Sequence, residues 1–237
     1  MISRLALAAC GLFIGLSAAR AEPRSVIELF TSQGCSSCPP ADRLLGELAQ
    51  NPDVLALSFP VDYWDYIGWK DTLAQPAFTA RQKAYAGARG DGQVYTPQAV
   101  VNGVAHAVGS DRAEVQSAIA AATARGDLSV PVRLAKAGAG LRVEVGAGAG
   151  KAADVWLLRV THEKSVAIGR GENSGRSVTY TNVVRSMTRI GDWTGEAKSF
   201  DAADAKGGDG DGYVALLQAR SGGRPGAILG AGKTGGI

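Results

Sequence analysis

Two hydrophobic periodicities alternate at the start of the chain. Residues 26–31 form a nearly continuous apolar run, typical of a strand buried on both faces. Leucines then recur at helical spacing over residues 44–48, after two prolines that suit a first helical turn, and the pattern stops at Asn51 and Pro52. Because a second apolar run follows at residues 54–59, the pattern predicts a right-handed βαβ unit with parallel strands.

The pattern continues with a helix, a hairpin and another helix. The predicted elements are a helix over residues 75–86 that closes at Gly87, strands over 98–101 and 104–108, and a helix that begins after Ser110 or Asp111 and ends at Arg125 before Gly126. Asn102 and Gly103 between the two strands are a strong hairpin signal. Up to residue 127 the predicted order is therefore β-α-β-α-β-β-α.

Beyond about residue 128 the chain changes to short apolar segments, several of them alternating, separated by glycine-rich turns. The segments are 130–134, 141–145, 155–160, 178–184 and 213–217. They predict an antiparallel β-sandwich of five to eight strands. Residues 209–212 resemble a calcium loop but lack its third acidic position and distal Glu, so we interpret them as a hairpin turn.

The expected fold class is thus an α/β domain over residues 22–127, followed by a mainly antiparallel, β-sandwich-like domain over residues 128–237. The second domain either packs on the first or helps to select a partner protein. Its sequence shows no nucleophile–base pair, metal cluster or phosphate loop.

Residues 1–21 have the pattern of a secretory signal peptide: a basic residue, an apolar stretch and a small-x-small site at residues 19–21. We expect cleavage before Glu22 and export to the periplasm or the extracellular space. The apolar stretch is too short to span a bilayer, so no stable membrane insertion is expected. A lipoprotein attached at Cys10 is the alternative, because the preceding Leu-Ala-Ala fits a lipid-attachment box.

The charge balance suggests no polyanionic partner. The chain has 25 Lys and Arg against 22 Asp and Glu, and cleavage would remove two of the arginines. Neither nucleic acid nor an anionic membrane is therefore expected as a partner. Export would also leave only Cys35 and Cys38, in a compartment where thiols are oxidised.

Cys35 and Cys38 stand between the first predicted strand and the first predicted helix. A thiol at a helix N-terminus faces unpaired N–H groups and the positive end of the helix dipole, so its pKa falls and it becomes reactive. In such a pair the first thiol is usually the accessible one, which predicts that Cys35 attacks and Cys38 resolves. No cofactor is expected.

Two other interpretations of the cysteines stay open. They could form a structural disulfide, although so short a loop contributes little stability. They could also bind zinc, which needs four ligands, but the only histidines are His106 and His162, in different predicted domains.

The CxxC after the first strand and Pro97 at the start of the third resemble the thioredoxin superfamily. The resemblance implies a thioredoxin-like fold for residues 22–127 and a cis peptide between Thr96 and Pro97, where the Thr96 backbone binds an extended substrate. It also suggests Glu28, seven residues before Cys35, as a buried proton acceptor for the resolving thiol, one position away from the acid of thioredoxins.

Three longer segments are similar to an uncharacterised secreted bacterial family of thioredoxin-like proteins, catalogued as domain of unknown function 1223. They are TSQGCSSCPPAD at residues 31–42, VDYWDYIGWKD at 61–71 and TNVVR at 181–185. In the second segment, Tyr63, Trp64 and Trp69 either line a substrate groove or pack around an inserted helix.

The sequence therefore predicts an exported thiol–disulfide oxidoreductase that acts on protein or small-thiol substrates together with a redox partner. The alternative is a non-catalytic secreted binding module whose disulfide only fixes a loop. Ser36 and Ser37 replace the Gly-Pro of thioredoxins and the Pro-His of strong periplasmic oxidants, so the direction of electron flow is not specified. The substrate and the oligomeric state are not specified either.

Overall fold

The structure is a computed structural model that describes residues 22–149, 152–203 and 211–237. The fold is mixed α/β, with an eight-stranded sheet and a separate three-stranded antiparallel sheet. The predicted signal peptide lies outside the described residues, as do residues 209 and 210 of the predicted turn, whereas Asp211 begins a strand. Within the described chain, no helix has both the length and the apolar character needed to cross a membrane.

The elements of the N-terminal half follow the predicted order. They are β1 (Ser25–Thr31), α1 (Pro39–Leu48), β2 (Val54–Pro60), α2 (Pro76–Arg89), β3 (Gln98–Val101), β4 (Ala105–Val108) and α3 (Arg112–Arg125). One boundary differs from the prediction, because α2 runs through Gly87 and ends at Gly90, whose φ of 80° is the left-handed conformation that closes a helix. Helix α3 begins after Asp111, whose side chain accepts the Glu114 N–H, and closes at Gly126 as predicted.

Strand β1 lies inside the large sheet, parallel to β2 and antiparallel to β3. Its two faces are covered by different helices. Ile27 and Leu29 pack with residues of α1 and α3, whereas Val26 and Phe30 pack with residues of α2. Because side chains alternate along a strand, successive residues of β1 face α2 on one side and α1 and α3 on the other.

The described residues of the C-terminal half form seven strands. They are β5 (Val132–Ala137), β6 (Gly140–Val145), β7 (Ala153–Ala167), β8 (Ser177–Trp193), β9 (Lys198–Ala203), β10 (Asp211–Ser221) and β11 (Arg224–Lys233). Four of them extend the large sheet, whose order is β11-β10-β7-β8-β2-β1-β3-β4. The sheet therefore continues across the predicted domain boundary at residues 127 and 128.

The junction between the two halves is the parallel pairing of β2 with β8, where Ser58 lies opposite Val183. The Ser58 hydroxyl donates to the Thr181 carbonyl at 2.7 Å, and the Asn182 amide donates to the Ala56 carbonyl at 2.9 Å. The remaining strands, β5, β6 and β9, form the second sheet, which packs over the outer strands of the large one around Trp193. The C-terminal half thus has sandwich packing, but one of the two packed sheets also contains the strands of the N-terminal half.

Strands β7 and β8 form a long hairpin whose connection, residues 168–176, turns back toward the N-terminal half. Ile168 and Gly175 close this connection through backbone hydrogen bonds. Ile168 and Tyr180 are buried with Leu73, and Trp69 packs against the same cluster. The hairpin end is therefore fixed against the segment that follows β2.

Candidate functional site

Cys35 and Cys38 form a disulfide between the end of β1 and the start of α1. Cys38 is the residue that caps the N-terminus of α1, and Pro39 and Pro40 occupy the first helical positions. The Cys38 N–H donates to the Cys35 carbonyl at 3.2 Å, and the two Cα atoms are 5.4 Å apart. The disulfide thus sits at the positive end of a helix dipole, where a thiolate is stabilised.

Both cysteines are buried. Cys35 is 1% exposed and Cys38 is 0% exposed, which differs from the accessible Cys35 expected from sequence. Ser36 and Ser37 between them are exposed, and the Ser37 hydroxyl lies 3.4 Å from the Cys35 sulfur. Solvent therefore reaches the outer side of the loop, while the sulfur atoms lie beneath it.

Asn173, in the connection between β7 and β8, holds the loop before the disulfide. Its side-chain amide donates to the Gln33 carbonyl at 2.9 Å and to the Cys35 carbonyl at 2.8 Å. The residue is 1% exposed, and its Oδ1 atom has no hydrogen-bond partner among the described residues. A residue 138 positions away thus fixes the backbone of Cys35, and no pattern in the sequence indicated it.

Two tryptophans of the aromatic segment flank the same loop. The Trp64 indole N–H donates to the Thr96 hydroxyl at 2.7 Å, and the Trp69 indole N–H donates to the Gln33 side-chain oxygen at 2.8 Å. A side-chain carbon at Gly34 would lie only 3.0 Å from Trp64 Cβ, so glycine permits this contact. Tyr63, the third residue of the predicted groove, is partly buried against the core beside Trp64.

The segment of Thr96 and Pro97 packs beside the start of α1. The Thr96–Pro97 peptide is cis, as the resemblance implies. The Gly109 N–H donates to the Pro97 carbonyl at 2.9 Å. A Cβ at Gly109 would lie 3.2 Å from Pro97 Cβ and 3.3 Å from Ala41 Cβ, so these two side chains approach each other across the glycine. Since Ala41 follows Cys38 by three residues, the structure brings the predicted substrate segment to the disulfide-bearing helix.

Asp42 is a buried acid in α1, one turn after Cys38. Its N–H donates to the Cys38 carbonyl at 3.1 Å, and its Oδ1 accepts from the Thr31 hydroxyl at 2.8 Å. The Oδ2 atom is buried and has no partner among the described residues. Burial raises the pKa of Asp42 to about 8; the Thr31 hydrogen bond opposes that rise and the charge of Asp71 adds to it. A buried carboxyl group with a raised pKa therefore lies one helical turn from Cys38 in the same helix.

Asp71 and Tyr180 complete a buried acidic cluster with Asp42. Asp71 accepts from the backbone N–H groups of Gln33, Leu73 and Ala74, and burial raises its pKa. Burial also raises the pKa of Tyr180, and the charges of Asp42 and Asp71 raise it further. Ionising any one of these groups thus opposes ionising the others. The cluster was not predicted from the sequence, although Asp42 falls near the apolar stripe of α1.

Glu28 does not occupy the position that the proton-acceptor hypothesis requires. It shares the α2 side of β1 with Phe30, opposite the face of Leu29 that packs on α1. Both of its carboxylate oxygens accept from Arg81, at 3.0 and 2.6 Å. The one-residue offset from the thioredoxin acid therefore places Glu28 on the other face of the strand.

The two histidines have partners elsewhere. His106 Nδ1 lies 2.9 Å from the Tyr95 hydroxyl and its Nε2 lies 3.3 Å from Asp91, while His162 Nδ1 lies 3.1 Å from Asn182 Oδ1. In the described part of the chain, no group of three or more His, Cys, Asp or Glu residues is arranged to hold a metal ion.

Comparisons with known proteins give a family and two structural relatives. The family model described as "Protein of unknown function (DUF1223)" matches residues 26–218. The chain is similar to the crystal structure of protein AGR_C_4864 from Agrobacterium tumefaciens, with 37% identity over 92% of this chain and 97% of that one and a TM-score of 0.81. No curated protein matches the chain.

The second structure is HBP35 of Porphyromonas gingivalis, with 11% identity over 90% of this chain and 75% of that one and a TM-score of 0.59. At this level of identity the likeness shows the fold alone.

Proposed function

The chain belongs to the DUF1223 family of proteins of unknown function, and we propose that it is an exported thiol–disulfide oxidoreductase with a thioredoxin-like N-terminal half. One observation carries the proposal. The Cys35–Cys38 disulfide lies at the N-terminus of α1, and a buried carboxyl group with a pKa of about 8 lies one turn further along the same helix. A dithiol site needs this combination of a stabilised thiolate and a nearby proton acceptor.

The proposed step is an exchange of one disulfide for another. A substrate thiolate attacks the Cys35 sulfur, the bond from Cys35 to Cys38 breaks, and its electron pair leaves on the Cys38 sulfur. A second substrate thiolate then attacks the substrate sulfur of the mixed disulfide and releases the Cys35 thiolate. The substrate dithiol is oxidised to a disulfide, the protein is reduced to a dithiol, and a partner disulfide reoxidises it; the reverse sequence reduces a substrate disulfide.

Asp42 is suited to exchange the proton of Cys38. Its Oδ2 atom is unpaired within the described residues, and its backbone lies in the same helical turn as the Cys38 carbonyl. With a pKa near 8 it donates a proton to the leaving Cys38 thiolate at neutral pH and accepts one when the thiol is to be oxidised. This assigns to Asp42 the role that sequence reasoning gave to Glu28.

The substrate surface proposed here comprises Trp64, Thr96 and the exposed turn of Ser36 and Ser37. Trp64 contacts Gly34, the residue before Cys35, and also binds the Thr96 hydroxyl. Gly34, Trp64 and Thr96 therefore lie together in one patch. Tyr66, 81% exposed, lies two residues from Trp64 and adds an aromatic side chain to the adjoining surface. An extended peptide that pairs with the Thr96 backbone would lie along this patch.

Burial of both cysteines favours the second candidate function, a binding module with a structural disulfide. A disulfide that is 1% and 0% exposed at its two residues is protected from attack until the loop moves. The two functions differ in one measurable property, because only the oxidoreductase forms mixed disulfides through Cys35 in preference to Cys38.

The test uses Cys38→Ser and Cys35→Ser variants of the mature protein, each with one remaining thiol. Glutathione disulfide is added, and mass spectrometry follows the addition of one glutathionyl group. The oxidoreductase predicts that Cys38→Ser is modified at least tenfold faster than Cys35→Ser, since Cys35 is the attacking thiol. Equal, slow modification of both folded variants would support the binding module instead.

A further inference from the structure

A cavity of about 520 Å³ lies between α2 and the outer strands of the large sheet, and the proposed exchange reaction does not use it. Its volume is in the range of small-molecule binding sites. None of its lining residues belongs to the disulfide loop. The apolar walls come from one side of α2 and from β7 and β8: Ala77, Phe78, Ala80, Ala84, Trp156 and Met187.

The charged floor of this cavity is Arg81, whose side chain is only 8% exposed. Its Nε and Nη2 atoms donate to the two Glu28 oxygens, and Nη2 also lies within hydrogen-bond distance of the Tyr85 hydroxyl and the Gln218 side-chain oxygen. The guanidinium carbon is 4.8 Å from the centre of the Tyr85 ring. Nη1 is the one guanidinium nitrogen for which the described residues supply no hydrogen-bond acceptor.

Glu28 and Arg81 form a buried ion pair that fixes the orientation of the guanidinium group. A buried ion pair is usually no more stabilising than apolar residues of the same size, so a carboxylate within a central strand calls for another reason. Here the carboxylate fixes the Arg81 guanidinium with its remaining donor available to the cavity that Arg81 lines. A pre-oriented guanidinium is the side chain best suited to a planar anion such as a carboxylate.

The rim of the cavity is also basic. Arg220 bridges Asp154 and Asp192, and Arg189 binds the same two carboxylates. Arg224 donates to the Gly87 carbonyl at 2.6 Å and has no carboxylate partner among the described residues. Together with the pair of Glu28 and Arg81, four guanidinium groups face three carboxylates, which leaves one positive charge. The Asp154 carboxylate in the wall should repel a bound anion only weakly, because Arg189 and Arg220 neutralise its charge.

We propose that this cavity binds a small organic carboxylate with an apolar body of one or two rings. The carboxylate would accept from Arg81 Nη1, and the body would lie between the alanines of α2 and the side chains of Trp156 and Met187. The assignment is independent of the redox chemistry, because α2 covers the face of β1 opposite to α1.

Calorimetric titration of the oxidised protein with 1-naphthaleneacetate and with 1-naphthaleneacetamide tests this proposal. The two probes have the same rings and differ in charge. We expect one site per chain and at least tenfold tighter binding of the carboxylate. Equal affinity for the two probes, or no binding of the carboxylate at millimolar concentration, overturns the proposal.

Two alanine substitutions locate the site. Ala80→Leu fills the cavity from the exposed side of α2 and should weaken carboxylate binding at least tenfold, whereas Ala120→Leu, at an exposed position of α3, should not change it. Thermal unfolding confirms that both variants fold. Binding that is unaffected by Ala80→Leu in a folded variant places the ligand elsewhere and contradicts the assignment. Arg224→Gln tests the contribution of the rim charge. It should weaken binding of the carboxylate probe more than binding of the amide probe.

Discussion

The side-chain amide of Asn173 donates a hydrogen bond to the carbonyl of Cys35 at 2.8 Å, and so ties the loop between β7 and β8 to the disulfide. The same amide reaches the Gln33 carbonyl, and both acceptors are buried. The C-terminal half thus takes part in the candidate active site by holding the backbone of the cysteine loop in place.

Asn173→Ala should loosen that loop. Two buried carbonyls lose their donor, which should lower the free energy of unfolding of the oxidised protein by about 1–3 kcal/mol. If 1–2 kcal/mol of this loss lowers the free energy of local loop opening, the open loop becomes about 5–30 times more populated. Dithiothreitol should then reduce the disulfide faster by a similar factor. Urea unfolding and the reduction rate measure the two effects. Glu172→Ala, at an exposed neighbour, is the control; equal reduction rates in both variants would show that Asn173 does not limit access.

The raised pKa of Asp42 predicts that stability falls as pH rises. The folded state keeps the proton up to about pH 8, whereas the unfolded chain loses it near 3.8. Between these values the unfolded state binds fewer protons, so the free energy of unfolding should decrease by up to about 1.4 kcal/mol per pH unit from this group. Urea unfolding of wild type and Asp42→Asn from pH 4 to 8 checks this. The variant should show a shallower decline, with a residual slope of the same sign from Asp71; parallel curves would contradict the prediction.

The pH dependence of exchange should identify which acid serves the disulfide. We expect the ratio of the Asp42→Asn rate to the wild-type rate to change with pH around 8, because only wild type gains or loses that proton. Taking the ratio cancels the ionisation of the attacking thiol. Glu28→Gln, compared under conditions where urea unfolding shows that it is folded, should give a flat ratio over the same range. A flat ratio for Asp42→Asn with a sloping one for Glu28→Gln would return the role to Glu28.

Glu28→Gln should be strongly destabilising for a reason unrelated to exchange. The substitution leaves the Arg81 cation buried without its anion, which typically costs about 3–5 kcal/mol. Urea unfolding should also show that Glu28→Gln with Arg81→Met costs less than the sum of the two single changes, since the double variant buries no unpaired charge. Additive costs would mean that the two groups are not coupled.

A double-mutant cycle tests the contact between Trp64 and Thr96. Trp64→Phe removes the indole donor and Thr96→Val removes its acceptor. Unfolding free energies of the two single variants and the double variant should give a coupling of about 0.5–1.5 kcal/mol. The cycle of Trp69→Phe with Thr96→Val is the reference, because the Trp69 indole binds Gln33 instead, and its coupling should be near zero.

Local patterns predicted the elements around the disulfide well. The apolar run of β1, the prolines of α1, the Asn102-Gly103 hairpin and the Asp111 cap each act within a few residues, so their signals are complete in the sequence. The prediction that α2 ends at Gly87 is wrong because a glycine near the end of a helical pattern is a common stop, and Gly90 gives the same signal three residues later.

Contacts between distant segments could not be predicted in this way. Nothing in the pattern of residues 178–184 indicates that β8 joins the edge of β2, or that Asn173 reaches Cys35 from the far end of a hairpin. The position of Glu28 was available from sequence, since strand alternation places it on the same face as Phe30 and away from Leu29.

The reduction potential of Cys35–Cys38, measured by redox-buffer titration of the mature protein while the approach to equilibrium is followed, tests the central claim most directly. The oxidoreductase predicts rapid equilibration at a potential of about −120 to −270 mV, the range of exchange enzymes. A potential below about −300 mV reached only slowly would mark a structural disulfide and contradict the proposed function.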